Sequence, residues 1–279
     1  MKLVMAAVVS LLCFSLLSGC GAKLSQVPVK GTGVLSASDE GDRTVSGLDA
    51  AASDSAGSAE KKSKKLEKTT KEITEKVTET EPMRKAVDFE KIKSETAVVG
   101  DSIALGYSAY QRLPSENVFA ALNVSPSNIE KKTFEYRGGQ YSINSIIKER
   151  QPKYILISMG LNEINSYSAE KFSGQYKGLI DSFLDLSPES KIYVMALSPV
   201  ESSVNYISNG DIDEYNRALS EMADNYDGNV SFVNAAKALK DSNGALLPEY
   251  SGGDGIHLSG AAYDVLLDGL KEYMELGGE

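Results

Sequence analysis

From about residue 91 onward, short apolar runs alternate with amphipathic stretches. Ala97 to Val99, Lys132 to Tyr136, Tyr154 to Met159, Ile192 to Leu197 and Val230 to Val233 read as strands. The third and fourth are nearly unbroken apolar runs, as expected of strands covered on both faces. Between the runs lie stripes at spacings of three and four: Phe172, Tyr176, Leu179 and Phe183; then Ile212, Tyr215, Leu219, Met222 and Tyr226; then Ala262, Leu266, Leu270 and Tyr273. Such spacing puts each set on one face of a helix. Asp211 with Glu214 three residues on has the form of a capping box opening the second helix, and Ser259 stands where an N-cap would open the third. Strands alternating with helices require crossovers of one hand, hence a parallel sheet with helices on both faces.

The first 90 residues follow neither pattern. Lys2, an apolar stretch from Leu3 to Leu17 and then small residues form a secretion signal over residues 1–19, too short to span a membrane. The ending Leu17-Ser18-Gly19-Cys20 resembles the lipobox of bacterial lipoproteins. That resemblance implies cleavage before Cys20, lipidation of its sulfur and acylation of the new N-terminus. Two or more acyl chains hold a protein on a membrane without a spanning helix, so the expected location is the extracytoplasmic face of a bacterial membrane. Residues 20–90 are rich in Gly, Ser, Ala, Thr, Asp and Lys and bury too little apolar surface to offset their ordering entropy. They read as a tether, with Leu66, Ile73 and Val77 too thin a stripe for a coiled coil. A flexible chain of about 70 residues reaches roughly 40 to 50 Å, enough to let residues 91–279 work away from the lipid.

Charge and composition narrow the function. The formal net charge is -10; residues 1–90 hold 13 basic and 13 acidic residues and the remainder 16 and 26, so the whole excess belongs to the C-terminal part. An acidic domain without a basic stripe cannot neutralise phosphates, which excludes nucleic acid as a partner. Both cysteines, Cys13 and Cys20, lie in the first twenty residues, and His257 is the sole histidine. A disulfide framework, a Cys-based metal site and a multi-imidazole metal site are all excluded, and neither metal nor cofactor is expected. A proton shuttle near neutral pH has to use that one ring.

In open parallel sheets the functional crevice lies beyond the carboxyl ends of the strands. The residues there are Gly100-Asp101-Ser102, Arg137-Gly138-Gly139, Gly160-Leu161-Asn162-Glu163 and, in the last long loop, Asp254-Gly255-Ile256-His257. Together they supply a hydroxyl, exposed backbone N–H groups, a carboxamide, a carboxylate and an imidazole, the inventory of a serine acyl-transfer site. Ser102 needs a base, and His257 is the only imidazole; Asp254, three residues earlier, reaches its other nitrogen. An oxyanion formed on the substrate needs preorganised donors, which the N–H of Ser102, the N–H of Gly139 and the amide of Asn162 can supply. Gly106-Tyr107-Ser108-Ala109-Tyr110 approaches the nucleophile-elbow motif but lacks its last glycine.

These four blocks, over residues 96–279, resemble those of the GDSL or SGNH hydrolases, a family of esterases and acylhydrolases. The resemblance implies a flavodoxin-like three-layer α/β/α sandwich with a parallel five-stranded sheet in the order 2-1-3-4-5. It also implies Ser102 as nucleophile, His257 as base, Asp254 as its orienter, and Ser102, Gly139 and Asn162 as oxyanion donors. Ile103 replaces the commoner Leu of the first block, and Glu163 stands where Asp is usual after the Asn. In the second block Gly138 and Gly139 both satisfy the family glycine; Gly139, followed by polar residues, is the closer match.

The expectation is an extracytoplasmic, membrane-anchored, metal-independent serine esterase that works through an acyl-Ser102 intermediate. Two others stand beside it: an acyltransferase passing the acyl group to an envelope polysaccharide, and a non-catalytic lipoprotein that binds such a polysaccharide. Ser198 to Gly210 and Lys240 to Gly253 are long and rich in Ser, Asn, Gly and Tyr. As the rim of a cleft they favour a short acyl or O-acetyl group on carbohydrate over a long acyl chain.

Overall fold

The computed structural model describes residues 85–277. The expected signal segment, the expected lipidation at Cys20 and the part of the expected tether before residue 85 lie outside the described residues.

A short helix, α1 (Phe89–Glu95), capped by Asp88, leads into β1 (Thr96–Gly100), and α2 (Ser102–Ala109) follows. Then come β2 (Val118–Ala120), β3 (Thr133–Tyr136), β4 (Gly139–Ser142), α3 (Ile143–Arg150), β5 (Tyr154–Ser158), α4 (Ala169–Leu186), β6 (Lys191–Met195), α5 (Asn209–Ala223), β7 (Val230–Val233) and α6 (Gly260–Glu275). Five strands form one parallel sheet in the order β2-β1-β5-β6-β7. Helices α3, α4 and α5 pack side by side on one face, and α2 meets α6 on the other, so the fold is the expected three-layer α/β/α sandwich. The three apolar stripes point inward: Phe172, Tyr176 and Phe183, Ile212 and Leu219, and Ala262 and Leu266 are all buried. Each such large side chain contributes roughly 1.5 to 3 kcal/mol by leaving water.

The sheet order agrees with expectation, but its second strand is a different segment. Val118–Ala120 pairs with β1, whereas Thr133–Tyr136 turns back antiparallel on Gly139–Ser142 in a separate two-stranded hairpin. Arg137 and Gly138 make its two-residue turn with φ of 49° and 77°. Positive φ at both positions is the turn whose twist matches a hairpin. The opening of α5 also differs: the N-cap is Ser208, whose hydroxyl accepts the N–H groups of Gly210 and Asp211. Ser259 does hold the N-cap position of α6, but its hydroxyl donates to the Glu249 carbonyl and accepts no N–H of the helix.

Candidate active site

Gly100 ends β1 where a Cβ would lie 2.1 Å from the Ser158 carbonyl oxygen, so strands β1 and β5 approach closely here. The next residue, Asp101, is the N-cap of α2, and Ser102 is that helix's first residue. The Ser102 N–H therefore has no carbonyl to bond within the helix and sits at its positive end. Tyr263 on α6 donates to the Ile103 carbonyl at 2.7 Å and fixes this first turn.

The second component is the turn after β5. Gly160 has φ 137°, a conformation closed to side chains, and a Cβ there would meet the Phe172 ring at 2.6 Å. One tight turn, Leu161–Glu163, follows, closed by Glu163 N–H to the Gly160 carbonyl at 3.0 Å. It leaves Asn162 exposed, with its amide donating to the Val124 carbonyl at 3.1 Å. Tyr176 on α4 donates to the Met159 carbonyl at 2.6 Å from below. Burial pushes the Tyr176 phenol well above its ordinary value, so it remains a donor.

The third component carries the imidazole. Asp254 Oδ1 accepts the N–H groups of Ile256 at 2.9 Å and His257 at 2.8 Å, folding the segment into a turn of the kind short carboxylates stabilise. That turn presents the ring to its own carboxylate: His257 Nδ1 lies 2.5 Å from Asp254 Oδ2. On the far side, His257 Nε2 lies 3.0 Å from Ser102 Oγ. The tautomer follows by elimination. An ionised carboxylate only accepts, so Nδ1 carries the hydrogen and Nε2 is free to accept from the Ser102 hydroxyl. Burial works to raise the Asp254 carboxyl, but the hydrogen bonds from the His257 ring and from the Ile256 and His257 N–H groups prevail and hold it below its usual value.

Gly139 is not where the second block was expected. It opens β4 directly opposite Tyr136, and the ring beside it is that of Tyr141, so its backbone belongs to the hairpin. The turn after the sheet's true second strand is residues 121–128. Ala121 N–H bonds the Gly100 carbonyl at 3.3 Å, and Val124 receives the Asn162 amide. Ser127 donates to Glu163 at 2.6 Å, so Glu163, buried and adjacent to Asn162, ties the two turns together. Asn123 in this turn adopts φ 57°. The structure thus brings Ser102, Asp254 and His257 together, ties Asn162 to the 121–128 turn, and puts Gly139 and Gly138 in the hairpin.

The sequence assigned no role to Asp101. Asp101 is 1% exposed; Oδ1 accepts the Ile103 N–H and Oδ2 the Gly160 N–H, both at 2.9 Å. Burial pushes its carboxyl up to about 6, against the opposing pull of those N–H groups and of His257. At the rim, Asn165 donates to the Tyr206 carbonyl at 2.8 Å, and the Glu201 N–H bonds the Gly255 carbonyl at 2.8 Å. The 198–208 loop is therefore pinned between the Asn162 turn and the Asp254 turn, with Tyr206 64% exposed. Among the described residues no group of three or more His, Cys, Asp or Glu side chains is arranged to hold a metal ion.

No curated protein matches the sequence. Among solved structures, a protein of Streptococcus pneumonia provisionally named a platelet activating factor is 21% identical, with a TM-score of 0.50 over 78% of this chain and 100% of its own. A carbohydrate esterase of family 3 from Talaromyces cellulolyticus is 13% identical, with a TM-score of 0.47 over 64% of this chain and 95% of its own. Axe2, an acetylxylan esterase from Geobacillus stearothermophilus, is 18% identical, with a TM-score of 0.47 over 66% and 94%. The model of the GDSL-like lipase/acylhydrolase family matches residues 98–265, a span holding Ser102, Asn162, Asp254 and His257, and the chain belongs to that family.

Proposed function

We propose that this acylhydrolase is a serine esterase that removes short acyl groups, O-acetyl groups above all, from carbohydrate. The carrying observation is the continuous hydrogen-bond line from Asp254 through His257 to Ser102, 2.5 and 3.0 Å long. As Ser102 Oγ attacks the ester carbonyl, its proton passes to His257 Nε2, and Asp254 stabilises the imidazolium. The carbonyl oxygen becomes an oxyanion. It receives the free N–H of Ser102 and the second hydrogen of the Asn162 amide, and the third donor is a backbone N–H of Leu122 to Val124 in place of Gly139. His257 then returns the proton to the departing alcohol, leaving acyl-Ser102. Water, deprotonated by the same ring, attacks the acyl carbon and frees the acid, and Ser102 regains its proton. The carbohydrate preference rests on the polar rim, where Asn162, Asn165 and the exposed Tyr206 sit on neighbouring turns. No metal or cofactor enters these steps.

The protein works, in this proposal, on the extracytoplasmic face of a bacterial membrane, held by lipid on Cys20. Labelling with radioactive palmitate that disappears in Cys20→Ala tests that assignment. The activity is tested with p-nitrophenyl esters of two to twelve carbons beside Ser102→Ala, together with a fluorophosphonate probe. Turnover and labelling that both require Ser102, with acetate preferred, are expected. Labelling without turnover until a sugar acceptor is added identifies a transferase, and neither signal in folded protein identifies a binding lipoprotein.

A further inference from the structure

Asp101 is a buried carboxylate to which the chemistry above gives no task. Capping α2 requires one acceptor oxygen, and a neutral Ser or Asn provides it without burying a charge. The second oxygen does something else: it accepts the N–H of Gly160, 59 residues away, at 2.9 Å. Each end of that bond is one rigid step from an oxyanion donor. Asp101 precedes Ser102, and Gly160 leads through a single closed turn to Asn162. Helices brace both turns from beneath, through Tyr263 to the Ile103 carbonyl and Tyr176 to the Met159 carbonyl. The far side of the Asn162 turn is held by Val124 and Ser127. The Asp101 carboxylate is the side-chain link between the turns that carry Ser102 and Asn162.

We propose that Asp101 is a positioning residue, whose carboxylate fixes the Ser102 N–H and the Asn162 amide at the spacing that receives one oxyanion. This rests on the serine esterase reading. A misplacement of a fraction of an ångström weakens donors that act only as charge develops, so the loss falls on kcat and spares KM.

The test uses aryl acetate kinetics on two variants. Asp101→Asn keeps the bond from Ile103 but sets an amide NH2 against the Gly160 N–H; Asp101→Ser keeps the cap and cannot reach Gly160. Both are expected to lose about 10- to 100-fold in kcat with KM within about twofold. Because Asp101 acts through Asn162, the double variant Asp101→Asn with Asn162→Ala is expected to be no worse than Asn162→Ala by more than about threefold. Losses that multiply in the double variant, or that appear in KM, overturn the proposal, as does wild-type kcat in folded Asp101→Ser. Hydrolysis that persists in Ser102→Ala refutes the esterase reading itself, whereas Ser102-dependent hydrolysis with multiplying losses removes only the role of Asp101.

Discussion

Replacing Asp254 by Asn changes one atom and reverses the tautomer of the base. Asp254 Oδ1 holds two backbone N–H groups, at 2.9 and 2.8 Å, which only an oxygen can accept. In the Asn variant the oxygen therefore stays there, and the amide nitrogen replaces Oδ2 against His257 Nδ1. Two donors cannot face each other, so the ring hydrogen moves to Nε2, where it points at Ser102 and can no longer take the hydroxyl proton. In a buried triad such a tautomer error costs about 10⁴ in kcat. Here the side chains of His257 and Asp254 are 41% and 48% exposed, so water restores part of the lost function. The expected loss is about 10² to 10³ in kcat, or about 3 to 4 kcal/mol, with KM within about twofold. Steady-state kinetics on p-nitrophenyl acetate measure it, and the fluorophosphonate labelling rate, which needs the nucleophile but no departing alcohol, should fall in parallel. A variant within about fivefold of wild type, or one that changes KM alone, refutes the assignment of Asp254 as the group that orients the base.

Asn162→Ala is expected to lower kcat about 100-fold, while Gly139→Ala stays within about twofold, its added methyl displacing only the half-exposed Tyr141 ring; equal losses would restore Gly139 to the site. Gly160→Ala forces a side chain into φ 137° against the Phe172 ring and should destabilise the fold by about 3 kcal/mol in urea unfolding; a change below 1 kcal/mol contradicts the packing described. Asp101 has a folded value of about 6, above its ordinary 3.8, so ionisation is resisted in the native state alone, and wild-type stability relative to Asp101→Asn should fall by about 3 kcal/mol as pH rises from 3.5 to 7; a flat difference rules out the buried carboxyl. Tyr206→Ala should raise KM for an acetylated sugar more than for p-nitrophenyl acetate, and equal shifts on both would remove the carbohydrate rim.

The parts of the fold that the sequence revealed are those whose signal is local and repeated. Strands β5 and β6 are covered on both faces and read as apolar runs; α4, α5 and α6 each bury a stripe of three or more large side chains. Strand β2 gives no such signal. It has three residues at a sheet edge, with Phe119 alone fully inward, and it runs into Ala121 and Leu122 without a break in hydrophobicity. By contrast Phe134 and Tyr136 alternate with polar residues, which is the pattern of any half-exposed strand and does not say with which partner it pairs. The Arg137-Gly138 pair held the missing information. Two residues between two alternating segments mark a hairpin, but Arg is an uncommon occupant of a positive-φ turn position, and the signal is easily passed over.

The same error of partner puts the expected glycine in the hairpin, whereas Ser102, Asp254 and His257 do come together, and the reason is physical. Ser102, Asp254 and His257 are fixed by short-range structure: a helix start just after a strand, and the four-residue turn Asp254 to His257 closed by its own carboxylate. Their chemistry depends on residue type, so it is legible wherever they fall. A backbone donor depends on conformation instead, and any residue type that tolerates the conformation can provide it. The glycine that follows the expected second strand is Gly139, and it lies in the hairpin. The turn that meets Asn162 contains no glycine, and Asn123 takes φ 57° within it. Asn is among the few residues other than Gly that enter this region readily, so a glycine there is replaceable at modest cost. What brings this turn beside Asn162 is its set of contacts, Val124 to Asn162 and Ser127 to Glu163, which join residues 36 to 38 positions apart and leave no local trace in the sequence.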